Sequence, residues 1–139
     1  MPPLGKAIPV LPSLFSGRVT EWDAVVSLDG SNGRAVTLKV SLLNPIKKRS
    51  SVVINVNEQR TNADATWPPN GEIGAQVTAI TKDDVHILAT VTSAEMTALL
   101  ALATGNRLKS CLLACTEPYR GRAHVDMLRL GTQEPEDLG

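Results

Sequence analysis

Two cysteines, a histidine and an aspartate lie close together in the C-terminal part of the sequence: Cys111, Cys115, His124 and Asp126. A cysteine beside a histidine base is the arrangement that nucleophilic catalysis uses, because the base removes the thiol proton. Apolar and polar residues alternate over 108–115 and 122–130, which predicts two paired strands joined by a loop around Tyr119. The faces of these strands therefore decide whether the four side chains can react together.

The length of the loop between the two strands sets those faces. With an odd-length loop, both cysteines share a face with Val125 and Met127, and the histidine and aspartate point the other way. An even-length loop reverses that conclusion. Free cysteines are among the residues most often buried, so we interpret both as core residues and assign no catalytic residue.

The spacing of the cysteines and histidines also bears on disulfides and metals. In a strand, the Cα atoms of Cys111 and Cys115 are about 13 Å apart, whereas a disulfide needs less than about 7 Å. We therefore expect free thiols and a reducing compartment. A closed zinc site uses four ligands in short paired spacings, and the chain has only two cysteines and two widely separated histidines. We assign no metal and no cofactor.

A tryptophan in a proline-rich loop is the first candidate for a ligand site. Trp67 opens the segment Trp67-Pro68-Pro69-Asn70-Gly71 and either covers one end of the fold or forms the wall of a pocket. His86 lies on the polar side of its strand and meets His124 if their strands are neighbours. A small-ligand protein or an enzyme with a pocket near Trp67, Arg60, His86 and His124 is therefore one functional hypothesis.

A run of three basic residues, Lys47, Lys48 and Arg49, is the second candidate. Basic loops beside aromatic rings are how β-barrels hold single-stranded nucleic acid, which makes an OB-like nucleic-acid binder a further hypothesis. The residues that could join this basic patch are Arg60, Trp67, Arg120 and Arg122. The chain has few aromatic residues, and Trp22 falls on the core face of its strand, so we do not expect nucleic acid as the partner.

The composition is that of one folded domain. The chain has 139 residues, of which 42% are hydrophobic, enough to bury a core without disulfide or metal. Its 14 basic residues balance 14 acidic ones, so a charge-driven partner needs a local patch. No apolar run approaches the roughly 20 residues of a membrane span, and the start of the chain lacks the basic and apolar pattern of a signal peptide. We expect a cytoplasmic protein and no membrane partner.

Period-two alternation of apolar residues predicts seven strands: 18–28, 35–42, 52–57, 73–79, 85–91, 108–115 and 122–130. The first two are joined by Asp29-Gly30-Ser31-Asn32-Gly33, a turn composition that predicts a hairpin. If Leu28 pairs with Arg34, Trp22 falls opposite Val40 on the core face. The strand faces therefore follow directly from the alternation.

One helix is predicted between the fifth and sixth strands, over about Ser93–Thr104. Thr92-Ser93-Ala94-Glu95 fits a capping box, and Gly105 suits a left-handed C-terminal cap. The helix is apolar on most sides, and a single sheet covers only one face. We therefore expect a second contact, from the Pro-rich arm or from another subunit, through Met96, Leu99, Leu100, Pro9 and Leu11.

The sequence as a whole predicts a mostly β protein with one short helix. We expect an antiparallel β-sandwich or a partly open barrel of about seven strands. Residues 1–14 are interpreted as a Pro-rich extended arm, 15–131 as a single β domain, and 132–139 as an acidic C-terminal tail. Since no catalytic constellation is assigned, the first functional hypothesis is a non-catalytic binding or protein-interaction module that self-associates as a homo-oligomer, most simply a dimer.

Overall fold

The computed structural model describes residues 13–28, 33–59 and 73–137. The predicted mostly β fold with one helix between the fifth and sixth strands is confirmed. In chain order the elements are β1 (Ser13–Val26), β2 (Arg34–Ile46), β3 (Arg49–Glu58), β4 (Gly74–Ile80), β5 (Asp84–Val91), α1 (Ser93–Thr104), β6 (Ser110–Cys115), β7 (Ala123–Gly131) and a short 3-10 helix (Pro135–Asp137).

The strands close into a barrel in the order β1-β2-β3-β5-β4-β7-β6, with β6 returning to β1. All pairs are antiparallel except β3 and β5, which run parallel from Ser51 opposite Asp84 to Glu58 opposite Val91. Parallel strands need a crossover connection, and here the chain between them contains β4, which serves as the return strand. The sequence did not distinguish a sandwich from a barrel, and the structure is a barrel. The parallel pairing of β3 with β5 differs from the antiparallel arrangement that we expected.

Alternate residues of the strands point into the barrel and form its core. The inner side chains of β2 and β3 are buried almost completely: Val36, Leu38, Val40, Val52, Ile54 and Val56. The same alternation continues in the neighbouring strands: Val77, Val85, Ile87, Cys111 and Leu113. Burying one large aliphatic side chain contributes about 1.5–3 kcal/mol, so the alternation seen in the sequence is also what holds the barrel together.

Helix α1 begins as predicted and ends differently. The Thr92 hydroxyl accepts a hydrogen bond from the Glu95 N–H (3.1 Å), and the Glu95 carboxylate accepts one from the Thr92 N–H (2.9 Å), which confirms the capping box. The prediction for Gly105 is wrong, because this residue has a φ of −80°. Asn106 adopts the left-handed conformation instead, with a φ of 58°, and asparagine tolerates it well.

The same helix closes one end of the barrel. Met96 is completely buried and Leu99 is 8% exposed, and both belong to the core cluster. Leu100 is partly buried and packs against that cluster. Met96 and Leu99 therefore pack within the barrel core, and the expected contact of the helix with the arm or a second subunit stays a prediction.

Strand β1 has two halves with different surroundings. Residues 13–18 pair with β6, and from Gly17 onwards the strand also pairs with β2. The register shifts at Thr20, and beyond it residues 21–26 pair only with β2 among the described residues. In the first half, Gly17 comes so close to β2 that a Cβ atom there would lie 2.6 Å from the Ser41 carbonyl oxygen. We call residues 21–26 the open edge.

The β1–β2 hairpin has the predicted faces but a different register. Val26, and not Leu28, lies opposite Arg34, because the turn between the strands is longer than predicted. Trp22 consequently lies opposite Leu38. A shift of two residues leaves each side chain on its own face, so Trp22 remains on the core side. It is nevertheless 39% exposed, since among the described residues no second strand pairs with the open edge.

The segment after β7 packs back against the start of the barrel. The Arg18 guanidinium donates hydrogen bonds to the carboxylates of Glu134 (2.5 Å) and Glu136 (3.2 Å), and Pro135 is buried. Glu134 and Glu136 of the predicted acidic tail therefore pair with Arg18 of β1, whereas most of the predicted arm lies outside the described residues. Within the described ranges, no helix combines the length and apolar character that crossing a membrane requires.

Candidate functional site

The two cysteines are free thiols buried in the barrel wall. Burial raises the pKa of Cys111 to about 12. The pKa of Cys115 is also raised, by burial first and then by the negative charges of Asp126 and Glu117. Because the thiolate is the nucleophilic form of cysteine, both environments disfavour the reactive species, in agreement with the interpretation of these residues as core.

The faces of β6 and β7 separate these thiols from His124. Cys115 lies opposite Val125 as predicted, but a register shift places Ala114 opposite Met127, so the predicted position of Met127 is wrong. The His124 side chain is 70% exposed, and its Nε2 atom lies 3.4 Å from a carboxylate oxygen of Asp126. Since the thiols face the core and His124 faces solvent, the sequence cluster is not a catalytic pair.

Two of the four predicted pocket residues, His86 and His124, lie in the described part of the chain. Strand β4 lies between the strands that carry His86 and His124, so the two histidines are not on neighbouring strands. His124 borders a surface depression of about 320 Å³ whose lining includes Gln76, Leu88 and Thr90; His86 is not among the described lining residues. Trp67 and Arg60 lie outside the described residues. No group of three or more metal-ligating side chains occurs in the described part of the chain.

A second depression, of about 280 Å³, lies between α1 and the inner faces of β3, β5 and β7. Its described lining is aliphatic except for Glu95: Val56, Ala89, Val91, Ala98, Leu99, Leu102, Leu128 and Leu130. The Glu95 carboxylate is engaged in the helix cap. Ligand sites combine apolar walls with a few polar groups that orient the ligand, and no uncommitted polar group lines this groove among the described residues.

The predicted basic run forms the tight turn between β2 and β3. Ile46 pairs with Arg49, and the two central residues, Lys47 and Lys48, have positive φ angles of 47° and 69°. Lys47 forms an ion pair with Glu117. Lys48 is exposed to solvent. This turn is one of three that meet at the end of the barrel opposite α1.

The other two turns at this end join β4 to β5 and β6 to β7. Arg49 Nε donates a hydrogen bond of 2.9 Å to the Thr81 carbonyl oxygen, which links the first turn to the second. The Lys47 ion pair with Glu117 links the first to the third, and a Cβ atom on Gly121 would lie 3.6 Å from the Ile80 nitrogen. We call these three turns, residues 46–49, 81–84 and 116–122, the basic end.

The basic end gathers residues that the sequence did not connect. Arg120 and Arg122 were expected beside the basic run, whereas Lys82 and Tyr119 were not. Tyr119 is 72% exposed, and the guanidinium carbon of Arg120 lies 5.3 Å from the centre of its ring. The composition of 81–84 and 117–121 already predicts turns, but it does not show that these turns meet the turn at Lys47.

The open edge is the feature that the sequence did not indicate. The last link between β1 and the β6 side is a hydrogen bond from the Val19 N–H to the Lys109 carbonyl oxygen (3.0 Å). Further along, the Ala24 N–H donates to the carboxylate of its own neighbour, Asp23 (3.0 Å). Large apolar side chains are exposed here, including Val25 and Val26 at 61% and 54%. Alternation alone does not distinguish an edge strand from a central one.

A largely buried ion pair ties the hairpin of β2 and β3 to α1. Arg34 donates to both carboxylate oxygens of Glu58, at 2.7 and 3.1 Å, and Ser93 Oγ donates to the same carboxylate at 2.6 Å. These hydrogen bonds, first from Arg34 and then from Ser93, lower the pKa of Glu58 to about 2. The cluster is a structural one, because all of its groups are engaged with each other.

The sequence matches no protein-family model, and neither the search of curated proteins nor that of solved structures gave a match.

Proposed function

We propose that this protein is a non-catalytic interaction module that self-associates as a dimer through the open edge of β1. The observation that carries the proposal is the outer side of residues 21–26, whose backbone pairs with no strand other than β2 in the described part of the chain and is flanked by exposed apolar side chains. An edge of this kind is a template for pairing with another chain, and addition of a strand to an exposed sheet edge is a recurrent mode of recognition.

The direction of the backbone groups supports a particular pairing. The Ser27 N–H donates to the Gly33 carbonyl oxygen on the β2 side. In an antiparallel pair, alternate residues direct their N–H and C=O groups to the same side, so those of Trp22, Ala24 and Val26 point away from β2. The bond from the Ala24 N–H to the adjacent Asp23 carboxylate agrees with this direction, because that amide is not used by the β1–β2 ladder.

These directions allow a two-fold axis that passes beside Ala24. Ala24 then pairs with the partner subunit's Ala24, and Trp22 pairs with the partner subunit's Val26. Each such pair exchanges two backbone hydrogen bonds, and the exposed side chains of Trp22 and Val26 are buried against each other across the contact. A closed two-fold contact of this kind gives a dimer and not a fibre.

The charges on the strand agree with the same register. With Ala24 at the axis, Asp23 lies opposite the partner subunit's Val25, and Glu21 lies opposite the partner subunit's Ser27. An axis at Asp23 would use the same outward-facing backbone groups, with Trp22 opposite the partner subunit's Ala24, but it would place two carboxylates directly opposite each other, which is unfavourable. The proposal therefore commits to the Ala24 register.

Two matched substitutions on the same strand test this proposal. Val26→Lys places a charge in the proposed interface, whereas Leu14→Lys makes the same kind of change at an exposed apolar residue outside the open edge, in the half of β1 that pairs with β6. Light scattering coupled to size exclusion, at several concentrations of the full chain, measures the mass of each protein. We expect a dimer for the original chain and for Leu14→Lys, and a monomer for Val26→Lys.

The proposal fails if the original chain is monomeric at the highest concentration measured, or if the Leu14 variant dissociates as completely as the Val26 variant. Thermal unfolding of both variants serves as the folding control, since both side chains are exposed and neither substitution should reduce core packing. The predicted contacts of Pro9 and Leu11 lie outside the described residues and stay predictions.

A further inference from the structure

The basic end concentrates positive charge in a chain whose net charge is zero. Its cationic residues are Lys47, Lys48, Arg49, Lys82, Arg120 and Arg122, and its acidic residues are Asp83, Asp84 and Glu117. The chain as a whole has 14 of each sign, so the rest of the protein is acidic. The fold therefore brings these residues together into a positively charged surface patch that could attract an anionic partner, although the chain as a whole has no net charge.

The backbone at this end is unfavourable for the residues that occupy it. Lys47 and Lys48 have positive φ, and so do Arg120 and Gly121 (54° and 78°) between the paired residues Tyr119 and Arg122. Two-residue turns of this type favour Asn-Gly, because a side chain with a Cβ atom is disfavoured at positive φ. Among the described non-glycine residues, only Asn106 shares this conformation with these three cations.

Strained backbone retained at a few positions is a mark of functional sites. Asparagine or glycine at Lys48 or Arg120 would relieve the strain, yet the sequence keeps basic side chains at the tips of both turns. A purely structural role does not account for this choice, since the turns would be more stable without these cations. The charges themselves are therefore the property that these positions supply.

Tyr119 adds an aromatic surface to the same end. Its ring is 72% exposed and carries the Arg120 guanidinium 5.3 Å from its centre. A guanidinium on a tyrosine ring forms a flat, positively charged platform. Nucleic-acid bases stack on such rings while lysine and arginine bind the adjacent phosphates, a combination that is used for single-stranded chains.

We propose that the basic end binds single-stranded nucleic acid, with a base stacked on Tyr119 and phosphates bound by Lys48, Arg120 and Arg122. The cations extend over three turns, which suits a chain of phosphates better than one small anion. A duplex keeps its bases stacked and offers none to the ring. An anionic membrane is less well matched, because Tyr119 is the only exposed large hydrophobic residue of these turns.

This site goes beyond the proposed dimer and does not depend on it. Strand β1 begins near the basic end, where Ser13 pairs with Cys115, and its open edge lies towards the opposite end. The dimer contact and the basic end therefore do not overlap. A monomeric chain can bind nucleic acid and a dimer can fail to do so, which makes the two proposals separable by experiment.

The test measures fluorescence anisotropy of a labelled oligothymidine of about 12 nucleotides, a length within the range that one small barrel covers. The full chain is titrated at several salt concentrations between about 50 and 200 mM. We expect binding that weakens steeply as salt increases, because each phosphate contact releases counterions. Vesicles that contain an anionic phospholipid and a duplex of equal length are measured in parallel.

Three variants locate the site. Lys48→Asn with Arg120→Asn removes two charges from positions that asparagine tolerates; we expect a salt slope that is smaller by about 1.4 together with a higher unfolding temperature. The matched control, Arg107→Gln with Arg129→Gln, removes two exposed charges far from the basic end and should change binding much less. Tyr119→Ala should weaken binding about fivefold or more, whereas Tyr119→Phe retains the ring and the affinity.

The proposal is overturned if no salt-dependent binding to the oligonucleotide is found at low salt, or if the control pair weakens binding as much as the Lys48 and Arg120 pair. Tighter binding to the vesicles or to the duplex than to the oligonucleotide overturns it as well. The gain in stability of the asparagine variant shows that any loss of binding does not come from misfolding.

Discussion

At the end of the barrel closed by α1, buried side chains and a largely buried ion pair fill the opening, whereas at the basic end three turns meet with exposed charges. The first end contains Met96 and Leu99 in the core and the Arg34–Glu58 pair with its multiple hydrogen bonds. The second contains Lys48 and Arg120 in left-handed conformations beside the exposed ring of Tyr119.

The two ends of the barrel differ in how much their side chains contribute to the stability of the fold. Side chains at the helix end gain free energy from burial and from satisfied hydrogen bonds, so they stabilise the fold. Side chains at the basic end gain little from the fold and adopt backbone conformations that cost free energy. We therefore expect substitutions at the helix end to change stability strongly, and substitutions at the basic end to change binding while leaving stability intact or improved.

Met96→Ala should have the largest effect on stability. The side chain is completely buried beneath the barrel end, and replacement of a buried methionine by alanine costs about 2–5 kcal/mol. Urea unfolding measures the change in the free energy of unfolding. Leu28→Ala is the matched control, because Leu28 is 90% exposed and the variant should unfold like the original chain. Equal losses of stability in both variants would contradict the proposed importance of the helix end.

Glu58→Gln should have a smaller effect that depends on pH. The carboxylate accepts charge-assisted hydrogen bonds, and we expect a loss of roughly 1–2 kcal/mol at neutral pH. The pKa of Glu58 is lowered from 4.5 to about 2, so its stabilisation is fully present above about pH 4.5 and disappears as the pH falls through about 2.

The difference in unfolding temperature between the original chain and the Glu58 variant should therefore shrink between about pH 4.5 and pH 2. A difference that stays constant over this range would show that the lost interaction does not involve the charged carboxylate. Glu21→Gln is the control, since the Glu21 carboxylate lies 3.6 Å from Lys39 Nζ in an exposed pair, and exposed pairs contribute little.

Lys48→Gly should have the smallest effect on stability and the opposite sign. Lys48 has a φ of 69°, and glycine adopts this conformation without steric cost, so we expect a gain of about 0.5–1 kcal/mol. Thermal unfolding measures it. Lys82→Gly removes the same charge from a residue without positive φ and should not increase the unfolding temperature. An equal increase in that variant would show that the stabilisation comes from the loss of charge and not from the backbone conformation.

Local structure was largely predictable from the sequence. The alternation in 35–42 and 52–57 depends only on which side of a pleated strand each residue faces, and β2 and β3 bury the expected residues. The capping box at Thr92 involves atoms only a few residues apart, so it too follows from local sequence. The register between β1 and β2 was wrong by two residues, because a long turn allows more than one pairing with the same faces.

The candidate sites were predictable only in part. The basic run at Lys47 was visible in the sequence as a local cluster of charge. Which other turns lie beside it to form the basic end was decided by the tertiary structure. Nothing in the alternation of β1 indicated that residues 21–26 pair with β2 alone among the residues that the structure describes. The proximity of His124 to Cys115 in the sequence was misleading, because strand faces separate residues that are close along the chain.

The sequence by itself determined the number and faces of the strands, the start of α1, and the identity of the core residues, because these properties depend on residues within one or two turns of each other. Only the tertiary structure decided the order of the strands, the parallel pairing of β3 with β5, the open edge of β1 and the assembly of the basic end. Those features depend on which distant segments pair, and strands with similar alternating faces can pair in several orders around one core.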